Sequence, residues 1–175
     1  MNSAPPPLKK RPITRAGFQL LAQEHDHLLL QERPKVLQGI QFAAAEGDRS
    51  ENAEYIYGRK KLRELDKRLR YLGKLLKDIV LVDPEKLEST KVCFGSTVTV
   101  VDEEGVERTY TLVGEGESDL IHHGISYLSP MAKALMGKKE GDLVVVHRPA
   151  GEIELEILRV ECRALETKKP KALTP

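Results

Sequence analysis

From Tyr55 onward, apolar or small residues recur at Tyr55, Gly58, Leu62, Leu65, Leu69, Leu72, Leu76 and Ile79, in alternating steps of three and four. That spacing predicts a helix with a coiled-coil seam, Leu62 at an a position and Leu65 at the next d. Run from about Asn52 to Ile79, such a helix would be roughly 40 Å long at about 1.5 Å per residue. Upstream, Phe18, Leu21, Leu28, Leu29, Val36, Ile40 and Ala43 form a second, looser stripe. Thr14 is placed to cap its start and Pro34 to kink it. Between the stripes stands Ala45-Glu-Gly-Asp-Arg-Ser-Glu-Asn52, where Gly47 suits a helix end and Asp48 or Ser50 the cap of the next helix. The chain must reverse within a few residues, so the two stripes predict an antiparallel helical hairpin.

Asp83-Pro84 is the predicted stop of that hairpin, and after a short linker the period changes to two. Thr97 to Val101 and Thr109 to Val113, joined by Asp102-Glu-Glu-Gly105, predict a β-hairpin. Leu143 to Val146 and Ile153 to Val160 predict a second, across Arg148-Pro-Ala-Gly151. Between the pairs, Ser129-Pro130 opens a short helix that Gly137 closes. The expected class is α+β: a helical finger over 13–82 with its tip at about 47–55, a linker over 83–90, and a small antiparallel sheet domain with one helix over 91–163. The Pro-rich, basic opening over 1–12 and the Lys/Pro-rich close over 164–175 are expected to be disordered tails.

Length and composition narrow the function more than they name it. A chain of 175 residues buries a core without help from metals or disulfides. Charged residues make up 31% of it yet sum to +1, so the placement of charge matters more than its total. Cys93 and Cys162 are far apart in sequence and lack His pairs at ligand spacing, which argues against a zinc site and a disulfide scaffold. No apolar run reaches the roughly 18–20 residues of a membrane span, and Ala4-Pro-Pro-Pro7 interrupts any signal peptide. A soluble, cytoplasmic protein is expected, without a membrane partner.

Two features carry candidate chemistry. At the tip, Asp48 and Glu51 stand three apart beside a helix start. Such a pair resembles a capping box and is favoured there by the helix dipole, with no function implied. The other reading makes both carboxylates oxygen ligands for a divalent cation; two carboxylates alone hold Mg²⁺ poorly, so the tip would complete a metal site built by another protein. On the second helix, Arg63, Arg70 and Lys77 share heptad position b, and Lys60, Lys67 and Lys74 share f. A solvated face is the ordinary fate of such positions. Between Arg59 and Lys77, however, only Glu64 and Asp66 are acidic, leaving charge for a polyanion such as RNA or DNA phosphate. His122-His123 has no nucleophile or acid at an informative spacing, and Gly114-Glu-Gly116 lacks the rest of a phosphate-binding loop.

Gly47-Asp-Arg-Ser-Glu-Asn-Ala-Glu-Tyr55 resembles the tip signature of the Gre-type transcript cleavage factors. Arg59 to Tyr71 resembles the basic helix of the GreB-like branch, while Val92-Cys-Phe-Gly95, Ser129 to Leu135 and Gly141 to Val146 resemble the C-terminal domain. The resemblance runs from about Pro12 to Glu161. It implies an elongation factor whose FKBP-like domain docks on bacterial RNA polymerase, and whose coiled coil enters the secondary channel to stimulate cleavage of backtracked nascent RNA. Asp48 and Glu51 would then be the catalytic acids, sharing a Mg²⁺ in the polymerase active site; the factor itself would carry no cofactor, be no enzyme alone, and act as a monomer. Asn52 and Tyr55 would support the tip, and Arg59, Lys60, Lys61, Arg63, Lys67 and Arg70 would meet RNA or the channel wall. Ser129 and Pro130 would contact the polymerase, with Leu128 standing where relatives often carry Asp or Asn. The alternative is a regulator that occupies the channel and inhibits without stimulating cleavage; its tip acids would be altered, and both are present here.

Overall fold

The computed structural model describes residues 10–47, 49 and 51–168. Two compact units emerge, one of Gln19–Lys77 and one that joins the chain up to Phe18 with the chain from Asp78 onward.

The first unit is the predicted helical hairpin. Helix α1 (Arg15–His27) starts at Thr14, whose hydroxyl accepts the Gly17 N–H at 3.0 Å, so the cap lies where the sequence placed it. One π-helical turn follows over Leu28–Glu32, in which the Arg33 N–H donates to the Leu28 carbonyl, and α2 then runs over Arg33–Ala45. The cause is next in the chain. Pro34 has no N–H to give the preceding turn, so the predicted kink takes the form of a widened turn. That turn also rotates the apolar stripe: Leu28 is buried while Leu29 and Leu30 are exposed. Helix α3 (Ala53–Leu75) returns along α2, with Leu72 and Leu75 fully covered. At Gly58 the two helices approach so closely that a Cβ would lie 2.7 Å from Ile40 Cγ1.

Helix α3 ends earlier than its periodicity predicted. Leu76 is its C-cap, Asp78 takes a positive φ of 54°, and Ile79–Val82 is strand β2. Ile79 continues the heptad by coincidence, because Ile79, Val80 and Val82 are β-branched and fit an extended backbone better than a helix. Its partner is β1 (Arg11–Thr14), paired in parallel so that Arg11 stands opposite Ile79 and Thr14 opposite Val82. Arg11 and Pro12, expected in a disordered tail, are therefore part of the fold. The segment expected to be a linker is packed as well: Pro84–Lys86 forms a 3₁₀ turn, with Pro84 buried against Gly95.

The main sheet has five strands in the order β5-β4-β3-β7-β6. Both predicted β-hairpins are present, β3 (Thr97–Asp102) with β4 (Glu107–Val113) and β6 (Leu143–Arg148) with β7 (Gly151–Glu161), and β3 pairs with β7 at the centre. The sheet is mixed, not purely antiparallel as expected, because β5 (Gly124–Ser126) runs parallel to β4. A loop over 114–123 makes the crossover that a parallel pair requires. Helix α4 (Pro130–Leu135) is the predicted short helix, opened by Ser129 and followed by Gly137 at φ 79°. Ala132 and Leu135 of this helix join Val98, Val100, Val144, Val146, Leu155 and Ile157 in one core. The expected C-terminal tail also begins too early: Thr167 bridges Ile121, and the Lys168 N–H donates to the Leu120 carbonyl at 2.7 Å.

Candidate functional site

Asp48, the first predicted metal ligand, and Ser50 lie outside the described residues. What surrounds them is defined. Helix α2 closes with Glu46 as C-cap, and Gly47 follows at φ 140°, a conformation that only glycine adopts without strain. The N-cap of α3 is Asn52, where the sequence pointed to Asp48 or Ser50. Its Oδ1 accepts the Tyr55 N–H at 3.1 Å, while its Nδ2 donates to the Ala43 carbonyl of α2 at 2.9 Å. One side chain thus caps α3 and adds a second donor to the Ala43 carbonyl, which also accepts the Glu46 N–H at the end of α2. Asn52 links the ends of α2 and α3, and Tyr55 takes part through its backbone N–H.

The position of Asn52 changes how Glu51 is read. Glu51 precedes the cap, outside the helix and exposed, and the acid of the first helical turn is Glu54. Capping therefore explains Glu54 better than Glu51. No three His, Cys, Asp or Glu side chains converge on a metal-sized point among the described residues.

Along α3, Arg59, Lys60, Arg63, Lys67 and Arg70 are exposed, and Lys61 is half-buried. Ion pairs between helices involve other residues: Arg33 Nε lies 2.9 Å from Asp66 Oδ1, and Arg68 makes two bonds of 2.7 and 2.8 Å to Glu24. Such exposed pairs contribute about 0–1 kcal/mol each. Their larger effect is on charge, since Arg33 engages one of the two acids within the basic run of α3 and leaves Glu64 as the other.

In the sheet unit, the Ser129 hydroxyl accepts the Ala132 N–H at 3.2 Å and Pro130 occupies the first helical turn, so both have a structural task in α4. Pro130 and Leu128 also face solvent. His122 and His123 are exposed as well. The sequence reading missed Glu117, which is fully buried and accepts from the Thr14 N–H, the Thr14 hydroxyl and the Gly114 N–H. Burial pushes its carboxyl above the usual range, and these hydrogen bonds oppose the shift. The nearest sequence signals are Gly17 and Gly114, each of which would collide with Glu117 if it carried a Cβ.

Two family models cover most of the chain: "Transcription elongation factor, N-terminal" over residues 11–81 and "Transcription elongation factor, GreA/GreB, C-term" over 87–162. Transcription elongation factor GreB of Neisseria meningitidis serogroup B is 46% identical over 153 residues, covering 87% of this chain and 94% of the relative. GreB of Yersinia pestis is 46% identical over 162 residues, covering 93% and 95%. GreA of Nitratiruptor sp. is 44% identical over 153 residues, covering 87% and 93%. Among solved structures, that of the transcription factor Gfh1 matches at 21% identity with a TM-score of 0.42, over 87% of this chain and 98% of that one. With sequence identity of this extent running through both the hairpin and the sheet, the chain belongs to the GreA/GreB family of transcription elongation factors and is GreB-like.

Proposed function

We propose that this factor binds bacterial RNA polymerase and stimulates the polymerase to cleave backtracked nascent RNA, with no hydrolytic centre of its own. In this reading the hairpin acts as a coiled-coil finger in the secondary channel, and the sheet unit, FKBP-like in fold, docks through the surface around Ser129 and Pro130. Family membership and the paired tip acids Asp48 and Glu51 support the cleavage role. The observation that carries it is the cap. Asn52 closes both helices at the tip, so Glu51 stands ahead of α3 without the capping task its spacing suggested.

A tip with two carboxylates is a partial donor set, which fits a Mg²⁺ shared with the polymerase better than a metal resident in the factor. Bound there, Mg²⁺ would supply activation of an attacking water at neutral pH. The chain's own residues position and attract. Asn52 holds the tip turn between α2 and α3, Asp48 and Glu51 present oxygens, and the cations of α3 draw RNA phosphate toward it.

The test is RNA cleavage in stalled, backtracked complexes at factor concentrations that saturate binding. Asp48→Asn and Glu51→Gln remove charge with little change of shape, and each is expected to reduce cleavage by about 10²-fold or more, a loss typical of a group that stabilises charge in the reaction. Both variants should still compete with the unaltered factor for polymerase. Cleavage equal to wild type in both variants overturns the reading. Binding by the unaltered factor without any stimulation of cleavage would favour the channel-occupying inhibitor instead.

A further inference from the structure

The two cysteines, far apart in sequence, meet in the fold. Strands β3 and β7 pair antiparallel with Thr97 opposite Glu161, so the next position outward sets Ser96 beside Cys162. On the other side, Cys93-Phe94-Gly95-Ser96 forms a tight turn, closed by a 3.1 Å bond from the Ser96 N–H to the Cys93 carbonyl, with Gly95 at φ 89°. The turn folds Cys93 back over Ser96. As a result the Ser96 hydroxyl oxygen lies 3.3 Å from Cys93 Sγ and 3.7 Å from Cys162 Sγ, and also accepts the Cys93 N–H at 3.0 Å. Both thiols are free, and both cysteines are half-buried while Ser96 is fully buried. Desolvation pushes the Cys93 thiol up, the Ser96 hydrogen bond partly opposes this, and the neighbouring Cys162 adds to it.

We propose that Cys93 and Cys162 form an oxidative modification site that closes to an intramolecular disulfide when the chain meets a hydroperoxide. Two sulfurs flank one hydroxyl, and the turn and the ladder bring both cysteines to the same corner of the sheet, so rotation about the Cα–Cβ bonds is the movement a bridge asks of them. In the first step a thiolate attacks the peroxide oxygen; the O–O bond breaks, the leaving alkoxide or hydroxide takes a proton, and the cysteine becomes a sulfenic acid. The second thiol then loses its proton and attacks that sulfur. The S–S bond forms as the S–O bond breaks, and the released hydroxide leaves as water. Two thiols are oxidised by two electrons, and the hydroperoxide is reduced to an alcohol and water. The bridge would tie the start of β3 to the segment leaving β7, which continues to the pairing of Thr167 with Ile121.

The experiment uses the full chain, reduced, freed of reductant and treated with a small excess of hydrogen peroxide. Thiol titration is expected to fall from two groups to none, with a monomer lighter by two hydrogen atoms and a mapped Cys93–Cys162 peptide. Dithiothreitol should restore both thiols, and the rate should not depend on protein concentration. Cys93→Ser and Cys162→Ser should each leave a sulfenic acid that dimedone traps, which the wild type does not accumulate; if either variant fails to fold, the wild-type masses decide. Thiols that stay free, a monomer that gains oxygen without a bridge, or a disulfide-linked dimer would each overturn the proposal.

Discussion

A buried carboxylate is costly unless donors surround it, and Glu117 is met by two N–H groups and a hydroxyl from Thr14 and Gly114. The arrangement explains two glycines at once, because a Cβ on Gly17 would lie 1.8 Å from Glu117 Oε1 and one on Gly114 2.3 Å from Oε2. Glu117→Ala leaves these donors buried without an acceptor and is expected to cost about 2–4 kcal/mol in urea unfolding. The pH dependence has a definite sign. Because burial raises the folded-state pKa above its usual 4.5, the folded protein holds this proton after the unfolded chain has released it. The group's stabilisation is thus fully present below about pH 4.5 and is lost as pH rises through the raised value. Glu117→Gln should remove that decline, and an unchanged slope of urea midpoint against pH would show that Glu117 does not titrate there. Asp83 has the opposite sign. Arg15, with Lys86 adding to it, holds its carboxyl at about 2, so its contribution is present above the usual carboxylate range and fades as pH falls toward that value. None of this was legible in the sequence, where Glu117 is one acid among many and Thr14 is distant from it in the chain.

At the scale of elements, the hairpin was legible because its signal is periodic and local: stripes in α1, α2 and α3, Gly47 at the reversal, Thr14 at the start. Its ends were harder to read. The step from Leu72 through Leu76 to Ile79 satisfies a heptad, yet parallel pairing with Arg11–Thr14 takes Ile79–Val82 as strand, and a partner so remote in sequence leaves no local trace. The tip cap was misplaced for a related reason, since Asp48, Ser50 and Asn52 are all good caps and the choice falls on Asn52, which also reaches Ala43. That double role is separable. Asn52→Asp keeps the acceptor for Tyr55 but cannot donate to the Ala43 carbonyl, and should cost about 0.5–1.5 kcal/mol in thermal unfolding; Asn52→Ala, which loses both bonds, should cost more. The role proposed for the basic face of α3 is different, a contribution to affinity. Replacing Lys60, Arg63, Lys67 and Arg70 with Gln should raise the factor concentration needed for half-maximal RNA cleavage about tenfold or more at low salt, with the difference narrowing as salt increases. A concentration dependence equal to wild type at every salt level would return these residues to the role of a solvated surface.

At the scale of the whole chain, the change of period from about four to two suggested a cut near the start of the sheet, with 91–163 as the docking domain. The compact units divide otherwise: residues up to Phe18 belong with the chain from Asp78 onward. Strand β1 aligns beside β2, the Arg11 N–H bonds to the Asp78 carbonyl at 2.9 Å, Arg15 grips Asp83 at 2.6 Å, and Thr14 supplies two of the donors around Glu117. The sheet unit is thus built from two stretches of chain with the hairpin inserted between them. A fragment over 91–165 lacks β1, β2 and the donors of Thr14, and it also ends before Thr167 can pair with Ile121. It should unfold at a lower urea concentration than a chain in which a short Gly/Ser linker replaces 19–77 and joins 10–18 directly to 78–168. Both proteins lack the hairpin and both contain the full five-stranded sheet, so what separates them is β1, β2, the Thr14 donors and the Thr167 pairing. Leaving the buried Glu117 carboxylate short of its Thr14 donors costs about 1–3 kcal/mol per lost bond, enough to separate the two midpoints clearly. Equal midpoints would show that the sheet stands without its N-terminal strand, and that the carboxylate of Glu117 finds water in place of Thr14.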